Sequence, residues 1–227
     1  MIDIAKSFPS LILQFPREYP YFHQKYFPRE PTIIIPMLQL ERIINKGAKR
    51  LCLYHPDNPD KCVKVAMLPK HSWQLENELL AYKKLKPLLG QFLPEYEEKL
   101  VKTNLGPGLV CELIRNDDGS ISRSLRDILI EGDISPDIID QIHNYVDIVI
   151  KNNIPLYDPN PRNFLVQKTK GKVRIVFSDM KTYNEYKPWV YLHLEKVIPF
   201  LNRRILKRRH AVLIDFINRM IEKHKNN

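Results

Sequence analysis

The chain has 227 residues, 44% of them hydrophobic, which is enough for one large domain or for two small lobes around a shared cleft. Its net charge is +10, but residues 187–227 hold ten Lys/Arg against three acids and so carry +7 of it. The remainder is near neutral, which excludes a wholly cationic nucleic-acid coat; no nucleic-acid partner is expected, and the basic segment marks one surface, either solvated or facing something anionic.

Residues 1–36 stand apart, with prolines at 9, 16, 20, 28, 31 and 36 alternating with aromatics, too proline-rich for helix or ladder. A strand is expected from Leu38 to Ile44, a turn at Asn45-Lys46-Gly47, a strand at Arg50–Tyr54, a hairpin turn over His55–Asp60 and a strand at Lys61–Met67. Leu75, Leu79, Tyr82 and Leu85 then recur at helical spacing, with Ser72 as the expected cap. Two further strands are expected at 97–103 and 109–114, separated by Gly106-Pro107-Gly108. The second half opens with the turn Asn116–Gly119 and a short helix from Ser124 to Ile130. A longer helix follows, with Ser135 as cap, Pro136 in the first position and Ile138, Ile142, Tyr145, Val146 and Val149 on its buried face. A loop over 154–163 leads into the strand Phe164–Gln167, a turn at Lys170–Lys172 and the strand Val173–Phe177; the tail from Tyr186 reads as helical and basic.

Cys52, Cys62 and Cys111, an odd number without metal-ligand spacing, read as buried thiols in a reducing compartment. No apolar run approaches the ~20 residues of a membrane span, and the opening Met1–Lys6 lacks the charged-then-apolar order of a signal peptide. The expected location is the cytoplasm, with the periphery of the inner membrane as its outer limit. Seven scattered histidines give no paired transition-metal motif.

The densest chemical signal is Tyr157-Asp158-Pro159-Asn160-Pro161-Arg162-Asn163. Asp158 and Asn163 lie five apart on an irregular loop, and the hairpin that follows delivers Asp179, so three oxygen donors share one rim. Such donors suit Mg2+ whose shell is completed by phosphates. Lys64 sits in an apolar strand, where an unpaired ammonium is costly, and Glu78, fourteen residues on, is its candidate partner. The plain alternatives are a snorkelling lysine and simple turn-forming Asp and Asn residues.

The order of these pieces resembles the protein-kinase-like fold. More narrowly, Gly47 through Arg50, Tyr54-His55-Pro56, Lys61-Cys62-Val63-Lys64-Val65 and the basic segment with Trp189 resemble the YrbL family, small bacterial kinase-like proteins linked to the PhoP regulatory network. The resemblance covers roughly residues 40–215. After the proline- and aromatic-rich extension over 1–36, it implies an α+β, two-lobed fold: an N-lobe over 37–115 with an antiparallel sheet and one helix, and a short, mostly helical C-lobe over 116–227. ATP and Mg2+ are the implied cofactors. Lys64 would hold the nucleotide phosphates, oriented by Glu78; Asn163 and Asp179 would hold the metal; Asp158 would be the catalytic base; Gly47 would approach phosphate; and the backbone of Glu112 and Ile114 would meet adenine.

The sequence also departs from that pattern. Leu156-Tyr157 replace the His-Arg pair before the catalytic Asp, the glycine-rich loop is reduced to Gly47, and Met180-Lys181 follow Asp179. Position 160, where protein kinases often carry a Lys, is Asn, with Arg162 as a candidate substitute, and no Ala-Pro-Glu motif follows. Two functions are therefore expected as alternatives: a phosphotransferase acting on a small-molecule, sugar or lipid-linked hydroxyl, or a pseudokinase that senses nucleotide without turnover. The basic run Arg203–His210 reads either as a solvated helix face or as a dock for an anionic membrane surface or sugar-lipid acceptor.

Overall fold

Alternating side chains in Lys61–Ala66 build the middle strand, β3, of a five-stranded sheet. The other strands are β1 (Ile43–Lys46), β2 (Arg50–Tyr54), β4 (Val101–Thr103) and β5 (Gly106–Glu112), and the order across the sheet is β1-β2-β3-β5-β4, antiparallel throughout. The computed structural model describes residues 37–180 and 199–226, which belong to one compact unit from Pro36 onward. The expectations for residues 1–36, Lys181 and Trp189 lie outside the described residues. Because strand side chains alternate between faces, Leu53, Val63, Val65 and Val110 form a small cluster on one face with Leu40. The other face carries Cys52, Cys62, Leu109 and Cys111 into the main core, where helix α1 (Trp73–Leu89) packs with Leu75, Leu79, Tyr82 and Leu85.

Several local expectations are corrected. The leading strand does not run from Leu38: Leu38 bridges Thr103 at the β4 edge, whereas pairing with β2 begins only at Ile43, after which the register shifts before Asn45. Residues 38–42 thus pass from one sheet edge toward the other, burying Leu40 on the way. Gly106-Pro107-Gly108 is not a separator but the start of β5; the turn is at Asn104-Leu105, and Gly106 takes φ 105. Glycine at 108 reflects lack of room, since a Cβ there would lie 2.7 Å from both Thr103 Cγ2 and Val63 Cγ1. Ser72 does not cap α1, because a 3-10 turn over Pro69–His71 precedes it and its hydroxyl donates to the Pro69 carbonyl. Ser135 occupies the cap position of its helix, yet its hydroxyl makes no capping bond.

The second half contains α2 (Leu125–Glu131), α3 (Pro136–Lys151), α4 (Pro199–Lys225) and a three-stranded sheet of β6 (Arg123–Ser124), β7 (Phe164–Thr169) and β8 (Lys172–Phe177). Ser124 caps α2 by accepting from the Asp127 amide. The β7–β8 hairpin closes through Lys170 (φ 50) and Gly171 (φ 71), two left-handed residues of the kind a two-residue hairpin turn requires. That turn fixes a register running from Thr169 opposite Lys172 down to Phe164 opposite Phe177. Both phenylalanines pack on Tyr145 of α3, with ring centroids 5.1 and 5.5 Å away, and Phe92 and His210 close the same cluster. Helix α4 buries Asn202, Leu206, His210, Leu213 and Ile217 against α2 and α3 and leaves Arg203, Arg204, Lys207, Arg208 and Arg209 exposed. The fold is α+β, and no helix among the described residues is long and apolar enough to cross a membrane.

Gly108→Ala is expected to destabilise the protein by about 1–3 kcal/mol through overpacking against two stiff β-branched neighbours. Gly47→Ala, whose Cβ would meet only the Arg50 carbonyl at 3.4 Å, is expected to leave stability unchanged within about 0.5 kcal/mol. Urea unfolding of the two variants checks both values.

Candidate functional site

The site begins with Glu78, in the middle of the apolar stripe by which α1 meets the sheet and 0% exposed. A carboxylate so placed needs compensating partners. Lys64, facing it from β3, donates to Glu78 Oε1 at 2.5 Å, and Tyr96 donates to the same oxygen at 2.6 Å. On β2, Arg50 forms an ion pair with the second oxygen, Oε2. The other end of the Arg50 guanidinium reaches Asp179 Oδ1 at 3.0 Å, just beyond the end of β8. Two cations and two carboxylates from four elements thus share one largely buried cluster. Burial disfavours the charged form of Glu78, but the Lys64 ammonium and then the Arg50 guanidinium outweigh it, holding the carboxyl at about 2. Burial likewise opposes charge on Lys64, but Glu78 overrides it and raises the ammonium well above its ordinary range. Tyr96 is driven up by burial and then by the Glu78 charge, so it is a neutral donor here.

Lys64 is also saturated. Its Nζ donates to Glu78 Oε1, to Tyr96 Oη at 2.9 Å and to the Ser178 carbonyl at 2.8 Å, which uses all three ammonium hydrogens. The Ser178 contact ties the lysine to the base of the β7–β8 hairpin, where the Ser178 amide donates to the Asn163 carbonyl at 2.8 Å and the Ser178 hydroxyl to the same oxygen at 3.1 Å. Asn163 therefore sits just before the first residue of β7, and Asp179 one residue past Ser178, beyond the end of β8.

The loop before β7 is shaped by local chemistry. The Asn160 side chain accepts from the Arg162 amide at 3.0 Å, Pro161 starts a 3-10 turn and the Asn163 amide donates to the Asn160 carbonyl at 2.8 Å. Asn163 Nδ2 makes a long 3.4 Å contact with the Asp158 carbonyl, while the Asp158 carboxylate stands exposed. Helix α4 anchors the loop from behind: the buried Asn202 accepts from the Tyr157 hydroxyl and donates to Asn153 Oδ1 at 2.9 Å.

The structure therefore brings Lys64, Glu78 and Asp179 into one cluster and connects Asn163 to it through Ser178, with Asp158 on the solvent side of the Asn163 turn. Gly47 lies in the β1–β2 turn, its amide donating to the Arg50 carbonyl at 2.9 Å without a left-handed φ. Glu112 is committed within the protein: its amide donates to the Glu95 carbonyl at 2.7 Å and its carboxylate accepts from Arg174 at 3.1 Å. The Ile114 carbonyl accepts from Ser122, while its amide makes no hydrogen bond with a described residue. Sequence reasoning missed Arg50, Tyr96, Ser178 and Asn202. Arg50 had a signal, since hairpin pairing places Cys52 opposite Lys64 and Arg50 opposite Ala66, so all four share the face of Lys64. Cys62 and Cys111 are buried on that face with sulfurs 3.4 Å apart, and Cys52 is half-buried.

Among the described residues no group of three or more His, Cys, Asp or Glu side chains converges to hold a metal. A cation at Asn163 and Asp179 would thus draw most of its ligands from elsewhere, as Mg2+ does when bound with phosphates. In comparison with known proteins, a family model described as "PhoP regulatory network protein YrbL" matches residues 37–218. No curated protein matches the chain.

Replacing Glu78 by Gln is expected to cost about 3–5 kcal/mol at pH 7, because it leaves Lys64 and Arg50 buried without their shared carboxylate. The folded-state value of about 2 lies below the ordinary 4.5, so the Glu78 contribution is present above about pH 4.5 and is lost as pH falls toward 2. The gap between wild type and Glu78→Gln should therefore narrow across that window in a pH series of urea unfolding curves.

Proposed function

The chain belongs to the PhoP regulatory network protein YrbL family, and we propose that it is a kinase-like ATP- and Mg2+-binding protein that transfers a phosphoryl group to a small-molecule, sugar or lipid-linked hydroxyl. The observation that carries this reading is the buried Lys64–Glu78 pair joined, through Ser178 and Arg50, to the hairpin end that bears Asp179. On this reading residues 37–115 form the smaller lobe and 116–227 the larger. Lys64 exchanges its Ser178 bond for a nucleotide phosphate while Glu78 keeps it charged and oriented. The Ile114 amide, without a partner among the described residues, receives the adenine edge, whereas Glu112, with its amide already engaged, contributes at most its carbonyl. Gly47 leaves its own position in the β1–β2 turn without a side chain at the phosphates.

The donor chemistry fits Mg2+: Asn163 and Asp179 offer hard oxygens on either side of the open end of one hairpin. The metal would neutralise phosphate charge, and the residues themselves supply position. Asp158, exposed and held by the Asn163 turn, orients the acceptor hydroxyl and takes its proton.

A second reading has its own observation. Arg50 occupies Asp179, and Lys64 has no spare donor, which is the closed electrostatics of a nucleotide-sensing pseudokinase. The two readings part at turnover.

ATP with Mg2+ is expected to raise the melting temperature of the wild type, and Lys64→Ala and Asp179→Ala are expected to lose at least ten-fold in affinity. No shift, or equal shifts in all three, would remove nucleotide binding from this site. Arg50→Gln is expected to strengthen the Mg2+-dependent part of the shift by removing the cation that is ion-paired with Asp179. With labelled ATP and a panel of hydroxylated acceptors, transfer that is lost in Asp158→Ala supports the enzyme, and binding without transfer supports the pseudokinase.

A further inference from the structure

The Asp158 loop borders a cleft of about 420 Å3 whose lining the roles above leave mostly unused. Four arginines line it from three places in the fold: Arg126 on α2, Arg162 in the loop, and Arg209 and Arg219 on α4. Among the described residues Asp158 is the one acid in that lining, and Phe216 contributes an aromatic wall. Three of the four arginines lie outside the basic run Arg203–His210, so the cleft is not a by-product of that run.

The arginines are also poorly matched within the protein. Among the described residues Arg162 and Arg209 make no ion pair, Arg126 reaches only its neighbour Asp127 at 3.9 Å, and Arg219 donates to the Asp215 carbonyl of its own helix. Four guanidinium groups around one concave wall repel each other and concentrate a positive field. Planar forks that hydrogen-bond in pairs are the side chains best fitted to phosphate oxygens.

We propose that this cleft is the acceptor subsite and that the acceptor already bears a phosphomonoester. The proposal rests on the phosphotransferase reading and narrows its substrate class. Arg162 and Arg209 hold the phosphomonoester, Phe216 flanks the carbon skeleton, and a free hydroxyl of the same molecule faces Asp158. The acceptor oxygen forms a bond to the γ-phosphorus of ATP as the bond from that phosphorus to its bridging oxygen breaks. ADP leaves with that electron pair, the hydroxyl proton passes to the Asp158 carboxylate, and the product carries two phosphates.

Calorimetric titration tests the cleft directly, with glycerol 3-phosphate as the soluble probe and glycerol as its neutral control. Vesicles containing phosphatidic acid, against phosphatidylcholine alone, test a lipid-borne phosphomonoester. The expected result is saturable binding of one phosphomonoester form and neither control, weakened at least ten-fold in Arg162→Gln/Arg209→Gln and several-fold in Arg219→Gln. These residues are exposed, so matched melting curves are expected for the variants. Failure of both phosphomonoester forms to bind, or binding unchanged in both variants, overturns the proposal. ATP binding by wild type and Lys64→Ala, measured in parallel, reports separately on the nucleotide reading, so the two can fail independently.

Discussion

A carboxylate with no exposed surface can remain ionised only where cations are brought to it, and Glu78 imposes that condition on everything around it. The stripe of α1 that buries Leu75, Leu79 and Tyr82 necessarily buries Glu78 as well, since these positions share one helical face. Lys64 must then point at α1 from β3, and Arg50 from β2. The strand pairing that puts Cys52 opposite Lys64 also places Arg50 within reach. The first sheet, its helix and the end of β8 are thereby joined by charge as well as by apolar packing. Such an arrangement favours one register strongly, because a one-residue slip would send either cation to the opposite face.

The second half supplies a rigid frame for the remaining polar groups. Phe164 and Phe177 are paired across the hairpin and both pack on Tyr145, so the residues just outside them, Asn163 and Ser178, inherit their positions from an aromatic core. Asn202 fixes the preceding loop from helix α4. The mobile chemistry of a site of this kind would therefore reside in side-chain exchange at Lys64 and Arg50 more than in the backbone that carries Asn163 and Asp179.

Much of this was legible in local patterns. Lys64 stood out as a charge in an apolar strand, Glu78 as the helix acid fourteen residues beyond it, and the Lys170-Gly171-Lys172 stretch as a turn between two strands. What escaped was long-range: Arg50 meets partners 28 and 129 residues away, and a carbonyl such as that of Ser178 leaves no mark in residue type. The misplaced turn at Gly106–Gly108 has a different cause. Glycine and proline there read as loop formers, yet Gly108 is small because Thr103 and Val63 leave no space. Ser72 and Ser135 show that a capping residue in the right place still depends on where its hydroxyl is drawn.

The β7–β8 hairpin has a further consequence for which changes of length this chain can tolerate. Its free end is a two-residue turn, and its fixed end is the Phe164–Phe177 pair. Adding or removing one residue from each arm together lengthens or shortens the ribbon at its tip and leaves the base untouched. An insertion in a single arm forces a bulge or turns every later side chain to the wrong face. Length variation in this segment should accordingly come in matched pairs, the ribbon acting as a ruler whose zero mark is held by Tyr145.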